Sequence, residues 1–289
     1  MILPLVWVVL PTQGNRLQYL GRALANWKRQ TYRNLRVIVL DGGGAAGPDA
    51  RVLEAVMAAN DPRFLYASVP PMPLGEKYNA GCHMAPDGAI LAFSGDDDWN
   101  HPERIARTVA AMDAADVQVA GSMSMLAYRM RDQAAYHYRH PRVIELVEEH
   151  DDGGITTDHT TPYMVHGTML VAKHHWERCQ FPSLQRASDS LWTREMLALS
   201  VPGNEKAEME AELAEDAARV TMRYDGRELA FLQLDAPESY VAWVHGSNTG
   251  NPLDGTGGVY FTPWAPGRAG IANLLGPDAE AFGLAPAST

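Results

Sequence analysis

Patterns typical of buried strands alternate with patterns of amphipathic helices through residues 5–114, and this alternation constrains the fold most. Short apolar runs rich in β-branched residues predict strands, and apolar residues at helical spacing, such as Leu20, Leu24 and Trp27, predict helices. The order βαβαβαβ predicts an α/β fold with a parallel sheet and right-handed crossovers. The predicted strands are 5–10, 36–40, 63–69 and 89–93, and the predicted helices are 17–30, 50–59, 75–84 and 102–114.

The second half of the chain shows less regular patterns. Strands are expected at 117–128, 163–171, 229–234 and 240–244, and a helix at 189–199. Residues 205–218 are acidic and helix-prone, which indicates a solvated surface insertion. From residue 250 onward Gly and Pro are frequent, and we expect an extended arm there.

Composition excludes several classes of protein. The chain has 24 basic and 35 acidic side chains, so it lacks the broad positive charge of a nonspecific nucleic-acid binder. Its two cysteines, Cys82 and Cys179, form no disulfide framework and indicate a reducing, cytoplasmic location. The apolar residues 1–10 have no basic region before them and no cleavage site after them, so they indicate a strand rather than a signal peptide. No apolar stretch approaches the roughly 20 residues of a membrane helix.

Three consecutive carboxylates, Asp96, Asp97 and Asp98, follow the predicted strand at 89–93. Open α/β sheets bind ligands at the carboxyl ends of their strands. Adjacent anions repel one another unless a cation or hydrogen-bond donors compensate them, and carboxylate oxygens suit Mg²⁺ or Mn²⁺ that bridges to substrate phosphates. A solvated loop in which Asp98 caps the next helix would explain the same residues. The spacing alone leaves both interpretations open.

Five segments of the chain carry a combined signal, namely VLPT at 9–12, LGRALANWKRQTY at 20–32, VIVLDG at 37–42, GEKYNAG at 75–81 and DDDWNHPER at 96–104. Together they resemble family-2-type inverting glycosyltransferases with the GT-A fold. The resemblance covers residues 5–110 well and recurs in patches to about 250. It implies a Rossmann-like, mostly parallel sheet flanked by helices, with a smaller antiparallel region on the acceptor side. It also implies a catalytic domain at 1–249, with a nucleotide-sugar-binding half at 1–115 and an acceptor-side half at 116–249, before the arm at 250–289.

The resemblance implies metal-dependent transfer of a sugar from a nucleotide donor, UDP, to an acceptor hydroxyl, with Mn²⁺ or Mg²⁺ as cofactor. The family usually has an acid where Gly95 stands, so the working pair is either Asp96 with Asp98 or Asp97 with Asp98. Removal of Asp41, which contacts the uracil or ribose in the family, is expected to weaken donor binding with little effect on thermal stability. The implied donor-binding residues are Pro11, Thr12, Asp41, Lys77, Asn79, Asp96 and Asp97, and the implied metal ligands are Asp97, Asp98 and His245.

Inversion requires a base that takes the proton of the acceptor hydroxyl. Residues 186–192 resemble the family's acidic motif at the start of a helix, in which Asp189 matches the base; an acid favoured by the helix dipole explains Asp189 equally well. Residues 240–249 resemble a late strand that ends in a His-Gly-x-Asn turn, in which His245 completes the metal shell or touches the diphosphate. A lone His at a strand end is also commonly structural. Trp99 and Trp192 are candidates for stacking on a sugar, with core packing as the alternative.

Two other functions are consistent with parts of the sequence. Residues 42–47 match the G-x-G-x-x-G of NAD-dependent oxidoreductases, although they follow the second strand and no acid ends the next one. The missing acid at Gly95 permits a sugar-nucleotide-binding module without turnover. The acceptor class stays open among small molecules, glycans, proteins and modified DNA bases, of which the net charge does not favour DNA.

Overall fold

The computed structural model describes residues 3–43, 47–140, 145–149, 155–159, 163–185, 191–193, 196, 208–224, 227–245 and 261–284. Its helices are α1 (Leu17–Lys28), α2 (Ala50–Ala58), α3 (Leu74–His83), α4 (Arg104–Ala114), α5 (Lys173–Arg178) and α6 (Gly267–Leu275). Its strands are β1 (Val6–Thr12), β2 (Leu35–Asp41), β3 (Phe64–Ser68), β4 (Ile90–Phe93), β5 (Trp99–Asn100), β6 (Val119–Ser122), β7 (Ser124–Arg129), β8 (Ala134–Arg139), β9 (Glu145–Glu149), β10 (Ile155–His159), β11 (Leu170–Ala172), β12 (Glu208–Leu213), β13 (Ala217–Tyr224), β14 (Arg227–Leu234), β15 (Tyr240–Val244) and β16 (Phe261–Pro263).

The main sheet has nine strands in the order β3-β2-β1-β4-β11-β6-β14-β13-β12. Strands β1 to β4 are mutually parallel, and α1, α2 and α3 connect them. Strand β11 lies antiparallel between β4 and β6, and β14 pairs parallel to β6. The predicted α/β fold with a sheet flanked by helices is therefore confirmed; the pairings are parallel from β3 to β4 and of both kinds beyond β4.

The first strand shows why apolar runs form the centre of this sheet. Val6, Val8 and Leu10 pack on one face in a core cluster with Leu24 of α1, and the alternate residues Trp7 and Val9 pack on the other face. Side chains alternate between faces along a strand, so a strand covered on both faces needs an uninterrupted apolar run. All seven residues of β1 are buried.

Three segments differ from the sequence-based expectation. Residues 208–213 of the acidic segment form strand β12 and pair with β13, because a neighbouring strand overrides weak helical propensity. The segment at 117–128 is two strands, since β6 belongs to the main sheet and β7 to a second one. Within 163–171, residues His166–Thr168 form a 3₁₀ turn, and only the end of the segment is extended.

A second sheet has five strands in the order β16-β8-β7-β15-β5, of which β5 follows β4 along the chain. Ile271 and Leu275 of α6 pack in one core cluster with Trp99 and Trp243. The extended arm expected after residue 250 is therefore wrong for residues 261–284, which bury apolar side chains against this sheet. The predicted division at 249 lies outside the described residues and stays a prediction.

Both cysteines are free thiols, as the composition indicates. Among the described residues, no helix combines the length and the apolar character that a bilayer crossing requires.

Helix α3 approaches the main sheet most closely at Gly81. A Cβ atom there would lie 2.8 Å from Cδ1 of Leu40 and closer still to Val9. The indole N–H of Trp7 donates to the Gly81 carbonyl at 3.1 Å. The absence of a side chain thus sets the distance between α3 and β1.

We expect Gly81→Ala to lower the free energy of unfolding by about 1–3 kcal/mol, because an added methyl group overpacks this contact. Urea denaturation measures the change. The matched control is Gly21→Ala in α1, where a Cβ would have nothing within 4 Å; it should keep or raise stability, by up to about 1 kcal/mol. Equal losses in the two variants would contradict the packing explanation.

Candidate active site

Three adjacent strands of the main sheet end at one edge and carry most of the predicted site. Thr12 at the end of β1 is the register partner of Asp41 at the end of β2, and Asp96 follows β4 on the other side of β1. A cleft of about 150 Å³ opens at this edge. It is lined by Pro11, Thr12, Gln13, Arg16, Leu74, Lys77, Tyr78, Gly95, Asp96, Asp97 and Gln185. Five of the predicted donor residues therefore meet here, namely Pro11, Thr12, Lys77, Asp96 and Asp97.

Asp96 is fully buried and has two partners. Its Oδ2 accepts a hydrogen bond from the Thr12 hydroxyl at 2.7 Å, and its Oδ1 lies 2.7 Å from Nη2 of Arg16. The other guanidinium nitrogen, Nη1, lies 2.6 Å from Oδ2 of Asp97. Burial and the charge of Asp97 raise the pKa of Asp96 to about 6, against the opposing effect of Arg16. The cation that compensates these carboxylates is thus an arginine of the chain itself.

Arg16 is the residue that the sequence analysis missed. It precedes α1 in the turn after β1, so the strand's position already places it at the carboxyl edge of the sheet. A basic residue in that turn, opposite an aspartate cluster that follows a neighbouring strand, was the available signal.

Asp98 points away from the cleft. Its Oδ2 accepts a hydrogen bond from the Tyr240 hydroxyl, and its Oδ1 accepts one from the Trp243 backbone N–H at 3.1 Å. Burial, and then the charge of Asp97, raise the pKa of Asp98 to about 8. Both oxygens hold β15 of the second sheet, so the predicted metal-ligand role of Asp98 finds no support. The alternative role as a helix cap is wrong, since α4 begins at Arg104 without a side-chain cap.

His245 lies beside Asp97, as the late-strand motif implies. Its Nε2 is 3.1 Å from Oδ2 of Asp97, and its ring stacks on Tyr19 with centroids 4.2 Å apart. Two donor atoms of the types that bind divalent cations are thus adjacent. Within the described ranges, no group of three or more His, Cys, Asp or Glu side chains is arranged to hold a metal ion.

Gly95 is the position at which the chain departs from the usual acidic motif. A Cβ at this position would lie 2.5 Å from Oδ2 of Asp98 and 2.7 Å from Oδ1 of Asp97. An acid here would collide with the two carboxylates that follow. A side chain at residue 95 would therefore require the carboxylates of Asp97 and Asp98 to move.

Asp41 is fully buried below the cleft. Its carboxylate accepts hydrogen bonds from the backbone N–H groups of Gly43 at 2.9 Å and Asp49 at 2.8 Å, and from the Tyr66 hydroxyl at 3.2 Å. Loss of the carboxylate would leave buried donors unpaired, which typically costs about 1–3 kcal/mol for each group. The expectation that Asp41 can be removed with little effect on thermal stability is therefore not supported.

Lys77 lies between two acids. It is 3 % exposed, and burial lowers its pKa while the charges of Asp41 and Asp96 raise it. A side chain on Gly42 would overlap its Cε and Nζ atoms. The small residue after Asp41 thus makes room for the lysine.

Asn79 does not line the cleft. Its Oδ1 accepts hydrogen bonds from the Trp176 indole at 3.1 Å and the Phe181 N–H at 2.9 Å, while its Nδ2 donates to the Phe181 carbonyl at 2.9 Å. Its amide therefore holds the segment after α5, and its predicted contact with the donor stays a prediction.

The two tryptophans considered for sugar stacking are core residues. Trp192 is fully buried against Phe181, and Trp99 is 1 % exposed with its indole bonded to Asp278. The predicted base, Asp189, lies outside the described residues.

A family model described as "Glycosyl transferase family 2" matches residues 7–177, which is more than half of the chain. The chain belongs to glycosyl transferase family 2. This family-2 glycosyltransferase carries the matched segment from β1 to α5, including the cleft and the aspartates. The NAD-dependent oxidoreductase hypothesis is thereby set aside, and Gly43, with φ of 57°, belongs to the turn after β2.

Solved structures share the fold of this glycosyltransferase. TarS 1–349 of S. aureus in complex with UDP-GlcNAc aligns with a TM-score of 0.56 at 13% identity, over 96% of this chain and 66% of that one. A longer TarS structure aligns with a TM-score of 0.53 at 15% identity, over 83% of this chain and 37% of that one. The mannosyltransferase PcManGT from Pyrobaculum calidifontis, in complex with GDP-Man and Mn²⁺, aligns with a TM-score of 0.50 at 16% identity, over 71% of this chain and 56% of that one. The chain thus spans two thirds or less of these relatives. No curated protein sequence matches it.

We expect Arg16→Met to lower the free energy of unfolding by about 3 kcal/mol, because it leaves two buried carboxylates without their cation. Addition of Mn²⁺ should raise the melting temperature of this variant more than that of the native chain, since the ion replaces the lost charge. Differential scanning fluorimetry with and without Mn²⁺ measures both effects. Arg33→Met, at an exposed arginine before β2, is the charge-matched control and should change neither. Similar losses in both variants would show that Arg16 is not the compensating cation.

Proposed function

We propose that this glycosyltransferase transfers a sugar, with inversion, from a UDP-sugar donor to an acceptor hydroxyl with the help of a divalent cation. The single observation that carries the proposal is the convergence of Thr12, Lys77, Asp96 and Asp97 on one cleft at the ends of β1 and β4. This is the position at which open α/β sheets bind nucleotide ligands.

The charges around the cleft suit a diphosphate. Arg16 and Lys77 supply two cations, and Arg16 now faces Asp97, which a metal ion would neutralise instead. Transfer of these cations to the donor phosphates would give charge-assisted hydrogen bonds. The choice of UDP rests on the likeness to TarS, which was solved with UDP and with UDP-GlcNAc. The Pyrobaculum enzyme was solved with GDP-Man, so a purine donor is the alternative.

Asp97 and His245 fit a divalent cation. Their Oδ2 and Nε2 atoms are 3.1 Å apart, so both can face one ion, and the oxygen of Asp97 suits Mn²⁺ or Mg²⁺. Such ions keep few protein ligands and complete their shell with waters and substrate phosphates. The ion would stabilise negative charge on the departing diphosphate. Asp98 would act by holding Tyr240 and Trp243, and thereby the loop that carries Asp97.

The base must lie across the sugar from the diphosphate, so it is a residue other than Asp97. We propose Asp189, whose motif supports this role. Asp151, Asp152 and Asp158 are the next candidates; no side chain of these four is described. The acceptor is a hydroxyl compound, and the cytoplasmic location stays a prediction.

Removal of the metal site is expected to weaken donor binding. Asp97→Asn should reduce the affinity for UDP in the presence of Mn²⁺ by tenfold or more, an effect of about 1.4 kcal/mol or above. EDTA should lower the affinity of the native chain similarly and abolish transfer. Calorimetric titration with UDP, and with NAD as the negative ligand, measures binding. Asp113→Asn, at an exposed acid of α4, should bind as the native chain does. Undiminished UDP binding and transfer in EDTA would refute the metal role.

Asp189→Asn is expected to bind UDP and Mn²⁺ normally and to lose turnover by roughly 10²–10⁴-fold, because asparagine keeps the size of the side chain without its basicity. Donor turnover in the presence of candidate acceptors measures the loss, and Asp113→Asn again serves as control. A native rate in Asp189→Asn would move the base elsewhere. A native chain that binds UDP-sugars but neither hydrolyses nor transfers them would instead be a binding module.

A further inference from the structure

Arg16 uses the carboxylate oxygen that the proposed cation would need. Its Nη1 donates a hydrogen bond to Oδ2 of Asp97 at 2.6 Å, and Nε2 of His245 lies 3.1 Å from the same oxygen. Two ligands at right angles around Mg²⁺, each about 2.0–2.1 Å from the ion, are roughly 2.8–3.0 Å apart. Asp97 and His245 are thus spaced for one ion, while the guanidinium of Arg16 already occupies their shared position.

A divalent cation and the guanidinium of Arg16 repel each other when both contact Asp97. Groups that bind the same carboxylate oxygen lie within about 5 Å of each other, a separation at which charges interact strongly in a partly buried site. The side chain of Arg16 is 13 % exposed and that of Asp97 is 8 % exposed, so salt and water screen this repulsion only weakly. An ion that binds the free chain must therefore displace Arg16 or bear its repulsion.

Lys77, the second cation of the cleft, is in a different state. Its side chain lines the same cleft and is buried, and within the described residues its ammonium group forms no hydrogen bond or ion pair. The carboxylates of Asp41 and Asp96 act on it only through longer-range charge. A buried ammonium group without an acceptor is available to an anion as it stands. Lys77 can therefore receive a phosphate without losing a partner, whereas Arg16 must first release one.

We propose that Arg16 excludes the divalent cation from Asp97 until a diphosphate binds in the cleft and accepts the guanidinium in place of Asp97. The inference rests on the proposed function and adds how donor and metal are coupled. The cleft beside Arg16, of about 150 Å³, provides the space into which the guanidinium would turn. Because coupling between two ligands is reciprocal, the donor should strengthen metal binding by the same factor as the metal strengthens donor binding.

Asp96 stays compensated when Arg16 leaves the carboxylates. Its Oδ2 keeps the hydrogen bond from the Thr12 hydroxyl at 2.7 Å, and the charge of Lys77 also acts on it. The contact of Arg16 with Asp97 has the geometry of a hydrogen bond, and the metal ion would replace it with a stronger positive charge. The exchange thus leaves each carboxylate with a partner, and it requires only the side chain of Arg16 to move.

Titration of the full chain with Mn²⁺, followed by the loss of the free ion's electron paramagnetic resonance signal, tests the proposal without and with saturating UDP. We expect UDP to tighten Mn²⁺ binding to the native chain by about tenfold or more. Arg16→Met removes the competing cation, so it should bind Mn²⁺ without nucleotide about tenfold more tightly than the native chain. UDP should then tighten Mn²⁺ binding to the variant by a smaller factor.

Two controls separate this effect from a general change of charge. Arg33→Met removes an arginine at an exposed position and should bind Mn²⁺ as the native chain does. Lys77→Met removes the other cation of the cleft; it should weaken UDP binding but leave Mn²⁺ binding without nucleotide close to that of the native chain. Should Arg16→Met fail to fold, Arg16→Met combined with Asp96→Asn removes the cation together with its buried partner and keeps an acceptor for Thr12. The same tightening is expected of this double variant.

The outcomes distinguish the inference from the proposed function. The inference alone is overturned if UDP and Mn²⁺ strengthen each other's binding in the native chain but Arg16→Met, or the double variant in its place, binds Mn²⁺ without nucleotide no more tightly than the native chain. It is also overturned if UDP tightens Mn²⁺ binding by the same factor in both. If UDP binds the native chain equally well in Mn²⁺ and in EDTA, the metal role itself fails, and the inference fails with it.

Discussion

The site depends on the repulsion among three consecutive carboxylates after β4 and on the separate partner that compensates each of them. Each aspartate faces a different partner: Asp96 meets Thr12 and Arg16, Asp97 meets Arg16 and His245, and Asp98 meets β15 of the second sheet. Adjacent anions in a buried loop are tolerated only when each is compensated separately. The loop thereby connects three parts of the fold, namely the turn after β1, the end of β4 and the second sheet.

The second sheet and helix α6 also stabilise the loop that carries the aspartates. Asp278, just after α6, accepts a hydrogen bond from the Trp99 indole at 2.8 Å and pairs with Arg29 at the end of α1. Asn26 of α1 exchanges hydrogen bonds of 2.8 Å with the backbone of Asn100. Residues 261–284, far from the aspartates in sequence, therefore help to fix the strand that follows them. A truncation after residue 245 would remove these contacts together with the apolar cover of Trp99 and Trp243.

The sequence predicted the first half of the fold because its strands are buried on both faces and its helices are amphipathic, so each pattern is local. It also predicted that Thr12, Lys77 and Asp96 lie near one another, since the carboxyl ends of parallel strands meet at one edge. It did not predict the hydrogen-bond partners of Asn79 and Asp98, which include Phe181 and Tyr240. These partners lie about 100 residues away or more, and no periodicity indicates which of several nearby polar groups a side chain will choose. The acidic strand at 208–213 failed for a related reason, because its pairing with β13 is non-local.

Two buried arginines show how different the same charge becomes in two surroundings. Arg16 lies within 2.7 Å of two carboxylates, so their attraction offsets the cost of burying its charge. Arg104 has the face of Trp27, a contact worth about 2 kcal/mol or more when desolvated, whereas burial of an ion costs several kcal/mol even after the protein relaxes. A buried cation without a partner therefore marks a place where the described chain alone does not complete the charge balance.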